Sequence, residues 1–329
     1  MNEEKQYIIR FYMLMSILVL SVLMGIFLVL RKPKATSPEK ITESSLGFFR
    51  DSQFLIREKG IVILDVSGVI QFAQGENMWG ITEFGADYLV NRINKYARNK
   101  NVKGMVLRIN SPGGTIAAVQ ELYNAIMEFR QSGKYVIASM GDIAASGGYY
   151  IAAACNEIYA NPGTLTGSIG VIMSTTSLQN LLKKIGISEI VFKSGRHKDI
   201  LSPYRDMTEE EKQIIQSVVN DAYGQFYQVV KKSRKIDDSL LKTYADGRIF
   251  SGAQARRLKL IDGLGDLSTV IRILGNKVGL GDDPPVIKER SNPFERFFTL
   301  LKKEKEDPVA RILDLYSRSS AGMYYLYLP

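Results

Sequence analysis

Residues Phe11–Leu30, FYMLMSILVLSVLMGIFLVL, run for twenty positions without a charged side chain. Hydrocarbon offers no water to satisfy backbone N–H and C=O groups, so a segment of this kind must bond its backbone internally, as a helix. At 1.5 Å per residue that helix is about 30 Å long, the thickness of a bilayer core. A secretory leader has a shorter apolar core followed by a small-residue cleavage site. Neither is evident, and the run reads as a retained transmembrane helix. It divides residues 1–10, a short N-terminal segment, from everything after residue 30. Lys5 and Arg10 precede it and Arg31, Lys32 and Lys34 follow. Those charges mildly favour the C-terminal side inside, a rule that a long following domain weakens.

The composition beyond the span is that of a folded protein. Of 329 residues, 45% are hydrophobic and 23% charged, enough for a sizeable core in one or two domains. The net charge of +9 comes from scattered Lys and Arg with no aromatic–basic interleaving. That pattern fits a membrane surface or simple solubility and gives no reason to expect nucleic acid. The one cysteine, Cys155, excludes an internal disulfide and a cysteine metal cluster. The one histidine, His197, nearly excludes a histidine metal site and leaves a serine–histidine triad a single possible base. No cofactor and no metal are expected.

Residues 31–55, with their Pro, Lys, Ser and Thr, read as a tether. GIVILDVSGVI (Gly60–Ile70) is a β-branched run and predicts a buried strand. Phe84–Tyr96 has helical periodicity. VKGMVLRI (Val102–Ile109) predicts a strand, Thr115 to about Phe129 a helix, and KYVIASM (Lys134–Met140) another strand. Short strands and turns follow through EIYANPGTLTGSIGVI and ISEIVFKSG (Ile187–Gly195). Thr208 and Glu211 fit a capping box that opens a long helix reaching about Lys231. Asp246–Asp266 reads as turn, short helix and turn. Strands alternating with helices predict an α/β fold with a largely parallel sheet.

Two glycine-rich turns could carry chemistry. In MGDIAASGGYYIAAAC (Met140–Cys155), Ser146 stands between two alanines and two glycines where a strand meets a helix. Backbone amides at such a place stabilise negative charge, though small residues also serve simple close packing. In RINSPGG (Arg108–Gly114), Pro112 stiffens a turn and Gly113 and Gly114 present bare amides. With the Gly147 amide these could form an oxyanion hole for acyl transfer. Glycine pairs also bind phosphates, but this one lacks both the Lys-Ser/Thr ending of a P-loop and the G-x-G-x-x-G pattern.

A serine nucleophile needs a base, either a histidine or a neutral lysine. FKSGRHKDI (Phe192–Ile200) offers Lys193, His197 and Lys198. Neighbours in an extended segment point to opposite faces, so His197 and Lys198 cannot both face the serine. The residues alone leave the base open between these two.

INSPGG, GDIAASGGYYIAAACNEIYANPGTLTGSIGVI, FKSGRHKDILSPYRDMTEEEK and ADGRIFSGAQARRLKLIDGLG resemble, in order, the successive motifs of the signal peptide peptidase A (SppA) family. The resemblance covers about Gly60 to Leu274. It implies a fold similar to the Clp protease proteolytic subunit and the crotonases, with a peptidase domain at residues 56–275 and a linker and C-terminal tail at 276–329. It implies Ser146 as nucleophile, Lys198 as general base and the Gly114 and Gly147 amides as the oxyanion hole. Lys193 becomes a neighbour and His197 a bystander. Some family members carry two copies of the domain and this chain carries one. The resemblance therefore implies a homo-oligomer in which serine and lysine come from adjacent protomers. It further implies a single-pass cell-membrane protein with its peptidase domain outside the cytoplasm, cleaving apolar peptides such as remnant signal peptides. Two rivals are a crotonase-like acyl-CoA enzyme and a catalytically inactive membrane-tethered scaffold. The closing SSAGMYYLYLP reads as a packing or oligomer segment, or else as a tail that occupies the active site or is trimmed there.

Overall fold

A computed structural model describes residues 58–72, 85–287 and 324–326. The expected transmembrane helix at Phe11–Leu30 and the tether lie outside the described residues. Among those described, no helix is long and apolar enough to cross a membrane. The chain divides into Met1–Gln53 and Phe54–Pro329, and every described residue belongs to the second unit.

In chain order the strands are β1 (Gly60–Ser67), β2 (Val102–Ser111), β3 (Gly113–Thr115), β4 (Tyr135–Ala145), β5 (Glu157–Ala160), β6 (Leu165–Gly167), β7 (Ile249–Ser251), β8 (Gly263–Leu264), β9 (Val286–Ile287) and β10 (Tyr324–Leu326). The helices are α1 (Ala86–Arg98), α2 (Ile116–Gln131), α3 (Gly147–Ala152), α4 (Gln179–Lys184), α5 (Glu209–Arg234), α6 (Asp238–Tyr244), α7 (Gly252–Arg257) and α8 (Leu267–Lys277). The main sheet runs β9-β1-β2-β4-β6-β7, with β5 also on β4 and β8 on β5. Its pairs are parallel except β6 with β7. This is the expected α/β architecture.

Parallel strands covered on both faces read as continuous apolar runs rather than alternating ones, and β2 is buried along nearly its whole length. On one face α2 lays Leu122, Ile126 and Phe129 into the core. On the other, Val270 and Leu274 of α8 pack on Ile61, Val106 and Ile137. A methyl group on Gly104 would lie 2.9 Å from Leu274 Cδ1, so the bare strand lets α8 close down.

The capping box forms as expected. Thr208 Oγ1 accepts from the Glu211 amide at 3.2 Å and Glu211 Oε2 accepts from the Thr208 amide at 2.9 Å. A further end-cap comes from a side chain remote in sequence. Lys134 Nζ, just before β4, donates to the carbonyls of Tyr96, Ala97 and Asn99 at 2.6–2.7 Å, placing a cation on the C-terminus of α1. Lys134→Met is expected to lower unfolding free energy by about 1–3 kcal/mol in a denaturant melt, because the carbonyls lose their donor.

Two expectations need correction. The strand expected to stop at Met140 runs on to Ala145. The β2–β4 register slips between Ile109 and Ser111, and the Asn110 side chain takes up the slack, its Oδ1 accepting from the Ile143 amide at 3.1 Å. The strand expected at Ile187–Gly195 does not form. No described strand edge lies alongside it, and Ile187, Ile190 and Phe192 stay 55%, 78% and 95% exposed.

Candidate active site

Ser146 is the hinge residue between β4 and α3, with φ 53° and ψ −117°. A positive φ at a residue with a side chain costs on the order of 1–3 kcal/mol and survives only where its surroundings over-determine it. The constraints here are visible. The Ser146 amide donates to Gly167 O at 2.8 Å, and its carbonyl accepts from the Tyr150 amide at 2.9 Å. A methyl on Gly147 would lie 2.7 Å from Val119 Cγ2, and one on Gly148 2.7 Å from Ser111 O. The small residues therefore serve close packing. The same sharp strand–serine–helix turn presents the nucleophile in α/β-hydrolases.

Opposite the elbow lies β3. Gly113 has φ 112°, a conformation open to glycine. A methyl on Gly114 would lie 1.8 Å from Ile70 O, since Ile70 runs directly behind it. Each amide of β3 has its own destination. Gly113 N–H donates to Ser111 Oγ at 3.1 Å, and Thr115 N–H donates to Ile70 O at 2.9 Å. That leaves the Gly114 N–H facing β10, which pairs antiparallel with β3 and sets Tyr325 opposite Gly114. The Tyr325 carbonyl oxygen lies 3.0 Å from the position a methyl on Gly147 would take, and Gly113's would meet both that oxygen and the Gly147 nitrogen. The carbonyl of Tyr325 thus lies against the Gly113–Gly114 backbone and close to Gly147, the residue after Ser146.

The Tyr325 side chain fills an aromatic pocket. It stacks on Tyr150 with centroids 5.1 Å apart, meets the ring of Phe226 at 5.0 Å, and donates its hydroxyl to Ala222 O at 2.8 Å. Tyr123 closes edge-on against Tyr150 at 5.2 Å. Burial, reinforced by Tyr123, pushes the Tyr150 hydroxyl up to about 12, and burial also raises that of Tyr325. Both rings stay neutral at physiological pH. With β10 in place, Ser146 is 1% exposed.

The base candidates lie on the loop before α5. The Lys198 side chain is exposed, and no hydrogen bond or ion pair joins its ammonium to a described residue. His197 stands between two carboxylates of α5, with Nε2 3.4 Å from Glu210 and Nδ1 3.8 Å from Glu211. Lys193 is committed to Asp199 at 2.6 Å. Within one protomer, then, Ser146, Gly114 and Gly147 come together, and neither His197 nor Lys198 bonds to Ser146. Among the described residues, no group of three or more His, Cys, Asp or Glu could hold a metal ion. Sequence reasoning missed Ser111, which orients Gly113, and Arg205, which ties the Lys198 loop to α5. Ser111 was within reach, in the quoted INSPGG, while Arg205 carries no local signal.

A serine on a positive-φ elbow at the end of a parallel sheet, followed by a glycine packed on Gly113, is an arrangement suited to acyl transfer. Residues 79–164 match the Clp protease family and residues 128–281 match peptidase family S49. A chain of Synechocystis sp. named as a protease is 44% identical over 189 residues, 57% of this chain and 68% of its own length. An Enterococcus faecium chain named as a signal peptide peptidase SppA is 38% identical over 207 residues, 63% of this chain and 60% of its own. The chloroplastic serine protease SPPA of Arabidopsis thaliana is 34% identical over 221 residues, 67% of this chain and 32% of its own. The present chain therefore spans 68% and 60% of these two bacterial relatives and about a third of the plant one. It belongs to peptidase family S49, with SppA among its relatives, and is a serine peptidase with a Clp protease-like domain.

Proposed function

We propose that this chain is a membrane-anchored endopeptidase that cleaves extended apolar peptides, remnant signal peptides among them, by a Ser146–Lys198 dyad completed between protomers. The placement of the Tyr325 carbonyl against Gly113–Gly114 and close to Gly147, the residue after Ser146, is the observation that carries this reading. It supports main-chain recognition by strand addition, in which β3 supplies hydrogen bonds and a pocket takes alternate side chains. Neutral Lys198 takes the Ser146 Oγ proton as the oxygen attacks the peptide carbonyl, and the two amides bind the oxyanion. The resulting Lys198 ammonium gives that proton to the departing amine, leaving a seryl ester. Lys198 then deprotonates the water that attacks the ester, and its ammonium returns that proton to the departing Ser146 Oγ, releasing the carboxyl product and restoring the free serine and neutral lysine.

Lysine serves as a base where an apolar neighbour removes its water. Exposed Ile187, Ile190, Val191 and Phe192 lie between six and eleven residues before Lys198 and offer that surface to a second copy. The chain would lie in the cell membrane through Phe11–Leu30, with the peptidase domain outside the cytoplasm.

In this reading β10 lies as a substrate would, with Tyr325 on the amino side of the scissile bond. Detergent-solubilised protein is expected to cut a fluorogenic apolar peptide after tyrosine. Deleting Met323–Pro329 should raise that rate severalfold, because a tethered strand competes at an effective concentration on the order of millimolar. If the wild type cleaves nothing and a fluorophosphonate probe leaves Ser146 unlabelled, the scaffold reading replaces this one.

A further inference from the structure

The loop that carries Lys198 has no regular secondary structure between Lys193 and Met207, yet it is tied down by one side chain. Arg205 reaches back along the loop and forward to α5 at once. Its Nε and Nη2 donate to the two carboxylate oxygens of Asp199 at 2.9 and 2.8 Å, with Nη2 also 3.3 Å from Asp199 O. Its Nη1 and Nη2 donate to the two oxygens of Glu211 at 2.8 and 2.6 Å. Nη1 further donates to Asp206 O at 3.0 Å. The planar guanidinium makes two forked pairs from one cation, a geometry that lysine's point charge cannot reproduce.

Both carboxylates are fixed by other partners. Asp199, adjacent to Lys198 in sequence, also receives Lys193 Nζ. Glu211 is the capping-box residue of α5, its side chain 3% exposed. The forked bonds from Arg205 hold both carboxyls below the usual carboxylate range, Glu211 at about 2. The remaining charges of the segment are likewise occupied: Arg196 and His197 face Glu210, and His197 also faces Glu211. Lys198 alone among the cations from Lys193 to Arg205 is left without a partner among the described residues.

We infer that Arg205 is a positioning residue for the general base: it locks the loop to the first turn of α5 through Asp199 and Glu211, and so presents the Lys198 amine to the serine of a neighbouring protomer. The inference rests on the reading of Lys198 as base. Proton transfer requires the lysine within hydrogen-bond reach of Ser146 Oγ, and a displacement of about 1 Å at such a group costs on the order of 100-fold.

The test uses the full-length protein in detergent and the tyrosine-containing peptide. Rates are measured for the wild type, Lys198→Ala, Arg205→Lys and Arg205→Ala, the last with and without millimolar guanidinium ion. Circular dichroism melts and oligomeric mass are measured on each. Arg205→Ala is expected to lose about 100-fold in kcat with KM changed less than about twofold and the oligomer intact. Guanidinium should restore about tenfold of that loss, and Arg205→Lys should fall between, since one ammonium bridges two carboxylates poorly. A dead Lys198→Ala beside an Arg205→Ala of full kcat overturns the inference alone. A joint fall of kcat, melting temperature and oligomeric mass, unrelieved by guanidinium, also overturns it and makes Arg205 a structural prop. An active Lys198→Ala overturns the dyad and, with it, this role for Arg205.

Discussion

Ser146→Ala and Ser146→Gly are both expected to lose on the order of 10⁴-fold or more in kcat/KM, yet to differ from each other in stability. Alanine keeps the Cβ and removes only the hydroxyl, so the positive φ of 53° stays as strained as before and the melting temperature should match the wild type. Glycine relieves that strain, worth about 1–3 kcal/mol, and loses roughly 0.5–1 kcal/mol through the greater freedom of its unfolded chain. A net gain of about 1 kcal/mol should therefore appear with glycine and not with alanine. Peptide turnover and thermal melts on the three proteins read both effects. If glycine melts below the wild type, the elbow is not strained and its conformation needs another explanation. If either variant keeps its turnover, Ser146 is not the nucleophile.

Lys198→Ala should lose about 10²- to 10⁴-fold in kcat, the range for removing a general base, while His197→Ala keeps its rate. The more telling result comes from mixing. Lys198→Ala protein has an intact serine and Ser146→Ala protein an intact lysine. Where each site takes its serine from one subunit and its lysine from the next around a closed ring, random reassembly of equal amounts rebuilds about a quarter of the sites. Two inactive preparations, dissociated together and reassembled, should then regain activity that neither has separately. If no activity returns while mixed oligomers form, serine and lysine act within one chain. A loss in His197→Ala with survival of Lys198→Ala would move the base to the histidine, against the carboxylates that hold its ring.

The elements built from local pattern were legible in the sequence. The β-branched runs of β1 and β2, the Thr208–Glu211 box and the alternation of strand and helix need few distant contacts to be recognised. The small-residue turn at Ser146 and the glycine pair at Gly113–Gly114 marked their own positions because bare backbone is an unusual thing to place after a strand. What escaped depends on partners far along the chain. The closing tail was open between a packing segment and an occupant of the active site, and β10 itself is three residues with no periodicity, its place set by a pocket assembled from Tyr150 and Phe226 on separate helices. β4 continues past Met140 because a side chain from β2 fills a register slip. Ile187–Phe192 has the composition of a strand, but such propensity expresses a fit to a half-buried pleated surface, and no described strand pairs with it. The reach of Arg205 to Asp199 and Glu211 spans six residues in each direction, outside any helical or strand period.

The sheet divides at β4, which bonds to β5 along Ile137–Met140 and to β6 along Ile143–Ala145. Ser146 follows at once, its amide held by the last residue of β6. The trunk of the sheet and the limb that steadies the nucleophile thus share only one strand. Amide protons near Ser146 would exchange with solvent as the short β6–β7 limb opens and closes, on a free-energy scale of its own, while those of β1 and β2 wait for the whole domain to unfold. The reactive end of the molecule can therefore loosen, and be tuned by substitutions in β6 and β7, without drawing on the cohesion of the trunk.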